Sequence, residues 1–207
     1  MLTLYYSPGA CAMASHSALE EAGADFVLEK IDLKSGQQRT PEYLAINPAG
    51  ATPALNTDKG VITQNAAILS YVAESFPDAS LAPVGDPFEM ARFNAFNGFL
   101  GSSLHPALGK VLFSHPPLQG EARDQALDQA LAKLDLAEQR LVEGPWVFGA
   151  RWTLADDYLM VFERWARQAR LLDPARYPKL NAHLDAVQQR PAVARMLKAE
   201  GLEPIAA

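Results

Sequence analysis

The hydrophobic pattern of the chain changes character near residue 80, and that change limits the folds open to it. Before it, short runs of β-formers alternate with helix-forming stretches. Leu2, Thr3, Leu4, Tyr5 and Tyr6 stop at Ser7-Pro8-Gly9, a strand followed by a turn. Residues 12–22 are rich in helix formers, and Gly23 is placed to end a helix. Residues 26–33 (FVLEKIDL) alternate as a second strand, so the chain opens as a β-α-β unit with parallel strands. Residues 34–46 are polar, with Pro41 set as a first-turn helix residue. Asn47-Pro48-Ala49-Gly50 marks a turn, and residues 52–56 and 61–63 read as short strands around an Asp58-Lys59-Gly60 hairpin loop. Residues 65–75 carry Ala67, Ile68, Tyr71 and Val72 at helical spacing. The expected order is βαβαββα, an α+β domain over residues 1–80.

Residues 77–87 hold Pro77, Pro83, Gly85 and Pro87 and read as a linker. Everything after them is helical in pattern: 88–113, 122–142, 154–168, 179–188 and 192–197, with Pro174, Pro178 and Pro191 separating or opening the helices. This gives an all-α second domain over residues 88–207. Thr153-Leu154-Ala155-Asp156 is a capping box, worth roughly 1 kcal/mol, and reads as a local helix start.

Composition narrows the function. A formal net charge of −6 argues against phosphate-backbone and anionic membrane partners, which need clustered Lys and Arg. No apolar run approaches the ~18 residues of a membrane span, and the start lacks the basic-then-apolar pattern of a secretory signal. The single cysteine forms no intrachain disulfide and supplies no CxxC pair or zinc site. These features set expectations of a cytoplasmic protein with no metal, no nucleic acid and no membrane partner.

Three features of the first domain carry chemistry. Cys11 follows the first turn at the start of a helix, whose free N–H groups stabilise a thiolate; a small buried residue under a turn is the alternative. Thr52-Pro53 puts a proline at the entry to a strand, where it cannot donate to the ladder. Either the peptide is cis, which turns the Thr52 amide and carbonyl toward open space, or it is an ordinary trans edge proline. Gln64-Asn65 opens the next helix, with Asn65 as N-cap and the helix amino terminus available to a carboxylate. Together they suit a small peptide-like thiol with a free carboxylate.

With Tyr5-Tyr6-Ser7-Pro8-Gly9-Ala10-Cys11, Ala14-Ser15-His16, Asn47-Pro48-Ala49-Gly50 and Thr52-Pro53-Ala54-Leu55, the sequence resembles the cytosolic glutathione transferases, most closely the bacterial Beta class. Residues 68–73 (ILSYVA), Leu81-Ala82-Pro83, Leu104-His105 and Thr153-Leu154-Ala155-Asp156 extend the resemblance over nearly the whole chain. It implies a thioredoxin-like first domain, an all-α second domain and a two-fold homodimer. It implies glutathione as co-substrate, without a metal, and conjugation of its thiolate to small hydrophobic electrophiles.

The resemblance places Cys11 and His105 beside the glutathione sulfur as the catalytic residues. It pairs the Thr52 backbone, before a cis Pro53, with the cysteinyl part, sets Gln64 and Asn65 at the γ-glutamyl end, and brings Lys34 to the glycyl carboxylate. Leu108, Leu112, Phe113 and Trp165 are the candidates for the electrophile pocket. His16, His115 and His183 are read as packing or surface. Three departures from the family stand out: Asn65 where Ser is usual, Gly98 where the class often has Asn, with Asn97 as the only substitute, and Asp157 where an apolar residue follows the capping box. Rival readings are a thiol–disulfide oxidoreductase or peroxidase using Cys11, a non-catalytic glutathione or ligand binder, and a glutathione-dependent lyase, dehalogenase or isomerase.

Overall fold

A computed structural model describes residues 1–141 and 144–206. β1 (Leu2–Tyr6) pairs in parallel with β2 (Phe26–Lys30) and antiparallel with β3 (Ala54–Thr57), and β3 pairs antiparallel with β4 (Gly60–Thr63), giving the order β2-β1-β3-β4. α1 (Met13–Glu21) makes the parallel crossover, α2 (Pro41–Ile46) precedes β3, and α3 (Asn65–Ser75) follows β4. The β-α order is the expected one. β2 ends three residues early because Asp32 leaves the ladder: its carboxylate accepts from the Lys34 and Ser35 amides at 2.9 and 3.2 Å and turns the chain. β3 begins at Ala54 rather than residue 52, as Pro53 has no N–H for the sheet.

Six helices follow: α4 (Pro87–Phe99), α5 (His105–Leu112), α6 (Gly120–Arg140), α7 (Leu154–Gln168), α8 (Pro178–Gln188) and α9 (Pro191–Glu200). The single helix expected over 88–113 is divided by a π segment, Leu100–Leu104. Pro106 supplies the reason. It lacks an N–H and its ring presses on the carbonyl four residues back, so the wider turn relieves a clash an α-helix would keep. The inserted residue also re-aims everything after it, beginning with His105. The helix expected over 122–142 starts earlier, at Gly120, and residue 142 lies outside the described residues.

Segment 77–87 is more than a tether. Pro77–Ala79 forms a 3-10 turn, Leu81 and Ala82 are buried, and the Leu154 amide donates to the Leu81 carbonyl at 2.9 Å. α7 is the axis of the helical part, buried from Leu154 through Arg167. α1 packs against α7 and α9 as well as β1 and α3, which is why every residue from Met13 to Leu19 is buried although the helix has no strong apolar stripe. The two parts therefore share one core. Among the described residues no helix is long and apolar enough to cross a membrane.

Candidate active site

The loop after β1 is the first wall. Gly9 adopts φ +72°, a left-handed turn that favours glycine, and both of its peptide groups are held by the helical part: its amide donates to Glu200 Oε2 at 2.8 Å, and Trp165 Nε1 donates to its carbonyl at 2.9 Å. Glu200 is buried and also bonds His16 Nδ1 at 2.9 Å, so α9 and α7 clamp the turn that presents Cys11. Cys11 lies one residue ahead of the Ala12 cap, outside the first helical turn. Its Sγ donates to the Thr52 carbonyl at 3.5 Å, and burial pushes the thiol up to about 11. The expected helix-stabilised thiolate is thus corrected: the sulfur sits short of the helix dipole, against an acceptor oxygen that pairs with S–H and repels S⁻.

The second wall approaches the same point. Thr52–Pro53 is a cis peptide and Pro53 is buried. Among the described residues the Thr52 amide has no partner. Asn65, expected to cap α3, instead occupies its first turn, with Gln64 in the cap position at φ 71°. A left-handed glutamine stores strain of roughly 1–3 kcal/mol. The Asn65 side chain faces inward, accepting from Ser15 Oγ at 2.6 Å and donating to the Cys11 carbonyl at 2.9 Å. It ties α3 to the start of α1.

These walls enclose a cleft of about 920 Å³. The volume is that of a small-molecule site. Cys11, Thr52 and Lys34 line one side, with Lys30 and Asp32 beside them, and His105, Phe113 and Trp165 line the other. Pro53, Gln64, Asn65, Leu108 and Leu112 do not line it. Leu108 is fully buried in the core and Leu112 is half-buried, whereas Phe113 is 60% exposed and meets Trp165 edge-on at 5.0 Å. His105 packs on Trp165 and Phe162 at 5.1 and 5.5 Å, and burial lowers its pKa, so the imidazole is neutral at pH 7. Asn97 does not replace the contact absent at Gly98: it is buried and neither side-chain polar atom has a partner among the described residues. Among the described residues no group of three or more His, Cys, Asp or Glu is placed to hold a metal.

Comparison with known proteins decides the family. The model for the glutathione S-transferase N-terminal domain matches residues 1–74, and that for the C-terminal domain matches residues 120–186. Glutathione S-transferase GstA of Escherichia coli O157:H7 is 34% identical over 206 residues, 98% of this chain and all of the relative. The chain belongs to the glutathione S-transferase family. A bacterial beta class glutathione S-transferase from Sphingomonas chungbukensis is 38% identical, with a TM-score of 0.86 over 97% of this chain and all of that one. A sphingomonad glutathione S-transferase complexed with glutathione matches with 38% identity and a TM-score of 0.87 over the same shares.

In this glutathione transferase the sequence reading missed the residues that join the two parts. Trp165 was placed in the cleft wall, but its indole N–H also holds Gly9, 156 residues away, and no local pattern announces that. Asp156 exceeds its capping role: it accepts from the Thr153 and Val147 amides, each at 2.7 Å, and from His183 Nε2 at 3.1 Å. His183 meets Glu163 on its other face at 2.9 Å, and the two carboxylates hold its pKa up, at about 10. Asp157 is wholly buried between α1 and α7, accepting from Ser17 Oγ and from Trp152 Nε1 at 3.1 Å.

Proposed function

We propose that this transferase binds glutathione in the cleft, stabilises its thiolate, and conjugates it to small hydrophobic electrophiles. The carrying observation is the pairing of an open Thr52 amide with a protonated Cys11 sulfur in one cleft between the two parts. The free amide suits the backbone of the cysteinyl unit. Lowering the glutathione thiol by about 2 pH units makes it mostly thiolate at pH 7 and needs roughly 3 kcal/mol of differential stabilisation. Cys11 S–H and the neutral His105 imidazole are the side-chain donors for it. Lys34 takes the glycyl carboxylate. Gln64 and the free N–H groups at the start of α3 take the γ-glutamyl end, where Asn65 acts through its backbone because its side chain is committed. Phe113 and Trp165 face the electrophile, with Leu112 and Leu108 as backing.

A Cys11 thiol held near 11 counts against the thiol–disulfide exchange reading, which needs a thiolate at working pH. We take residues 1–80 and 88–207 as the two domains, joined at 77–87, and a two-fold homodimer as the assembly. The cytoplasm, where Cys11 and glutathione stay reduced, is the compartment this chemistry suits. The test is conjugation of a chlorinated nitroaromatic by wild type and Cys11→Ala, beside reduction of hydroxyethyl disulfide. Conjugation that survives the substitution supports the reading. Disulfide reduction that dominates and vanishes in Cys11→Ser supports thiol exchange, and binding of glutathione with neither activity supports a ligand-binding protein. Sedimentation at micromolar concentration tests the dimer.

A further inference from the structure

The amide of Thr52 belongs to the same planar group as the carbonyl of Ala51, and that carbonyl is held twice. Tyr43 Oη donates to it at 2.8 Å and Asn47 Nδ2 at 2.6 Å. The Ala51–Thr52 bond is trans, since among the described residues only two X-Pro peptides are cis. In a trans amide the C=O and N–H point in opposite directions in one plane. Fixing the Ala51 oxygen on one side therefore fixes the direction of the Thr52 N–H on the other. Two donors on one carbonyl also polarise the amide and strengthen its N–H as a donor.

Both donors are built for this placement. Tyr43 is the one buried residue of α2, 3% exposed, and its ring meets Tyr5 of β1 edge-on at 6.0 Å. Burial pushes its hydroxyl up to about 12, so it stays a donor throughout the neutral range. Asn47 is also buried. Its amide donates to the Tyr43 carbonyl at 2.8 Å, and its Oδ1 accepts from the Ala49 amide at 3.1 Å, which leaves its side-chain NH₂ for Ala51. Neither side chain lines the cleft.

We propose that Tyr43 and Asn47 are positioning residues for the thiol substrate, acting through the Ala51–Thr52 peptide to aim and polarise the Thr52 amide. The inference rests on the proposed pairing of that amide with glutathione. Its test is Tyr43→Phe, which removes one hydroxyl and keeps the ring, together with Asn47→Ala and the double variant. Glutathione affinity is read by calorimetry, the Michaelis constants for both substrates and kcat by steady-state kinetics, and the Thr52 amide proton shift by NMR on the ligand-free protein. For Tyr43→Phe we expect a three- to tenfold rise in Kd and KM for glutathione, kcat and the electrophile KM within twofold of wild type, and an upfield move of the Thr52 proton. Asn47→Ala should do more, and the double variant should lose less than the product of the two, because both donors act on one oxygen.

A folded Tyr43→Phe protein with unchanged glutathione affinity overturns the inference, as does a uniform fall in kcat with both Michaelis constants altered. If Asn47→Ala fails to fold, the Tyr43→Phe arm decides alone. Wild-type protein that binds no glutathione overturns the parent reading, and this one with it; wild-type binding with unmoved variants overturns only this one.

Discussion

Replacing Asp157 by Asn should stabilise the protein at neutral and alkaline pH, and the gain should shrink as pH falls. The carboxyl is wholly buried, with Ser17 and Trp152 on its two oxygens and the Glu21 carboxylate nearby. Arg190 is the compensating cation, but it is already engaged by Glu21 at 2.7 and 2.9 Å and lies 3.6 Å over the Trp152 ring. Burial first, and repulsion by Glu21 second, raise Asp157 from 3.8 to about 7. The sign follows from proton counts. Between these values the folded state holds a proton that the unfolded state has released, so stability falls as pH rises, by about 1.4 kcal/mol per unit.

The accumulated loss is on the order of 4 kcal/mol at pH 7 and is constant above it. Asparagine mimics the protonated form. Its oxygen accepts from the Trp152 indole, and its NH₂ donates to Ser17 Oγ, whose hydroxyl rotates to accept. Urea denaturation of wild type and Asp157→Asn across pH 5–8.5 should therefore show a gap of about 1–2 kcal/mol at pH 5 widening to several at pH 8. At roughly 2–4 °C per kcal/mol for a chain of this size, the melting temperature at pH 8 rises by about 10 °C. A gap that does not change with pH, or a variant less stable throughout, refutes the reasoning.

Other substitutions probe separate links. Alkylation of Cys11 by iodoacetamide should be slow at pH 7.5 and climb about tenfold per unit through pH 10; a plateau by pH 8 shows an exposed, activated thiolate instead. Asp156→Ala strips the buried His183 and two backbone amides of their acceptor, and should lower unfolding free energy by about 3–5 kcal/mol, with denaturant melts as the check. Gly50 has φ +59°, and a Cβ there sits 2.9 Å from the Gln38 carbonyl, so Gly50→Ala should cost about 1–3 kcal/mol and raise the glutathione KM by disturbing the turn before Thr52. Trp165→Phe keeps an aromatic wall but drops the 2.9 Å bond to Gly9, and should weaken glutathione binding by about 0.5–1.5 kcal/mol, read by calorimetry.

What the sequence disclosed depended on whether the deciding contacts were local. α3 runs over the expected residues because apolar spacing and a polar start are written in eleven neighbouring positions. The π turn adds one residue between two ordinary helical stretches, and Pro106 is its only local mark. Cys11 was found from its place after a turn, yet its protonation is set by burial and by a carbonyl 41 residues on, which no window around the turn contains. His16 was read as packing or surface and is a buried partner of Glu200, 184 residues away. Asp157 stood out as a charge in an otherwise apolar run, and only the fold reveals that it lies against α1.

The most direct measurement is the ultraviolet absorbance of the glutathione thiolate in the binary complex, titrated with pH in wild type, Cys11→Ala and His105→Ala. The account predicts a titration midpoint about two units below the free thiol value of roughly 8.5 in wild type, with each variant still binding glutathione but moving the midpoint back upward. A wild-type midpoint equal to that of free glutathione would contradict it.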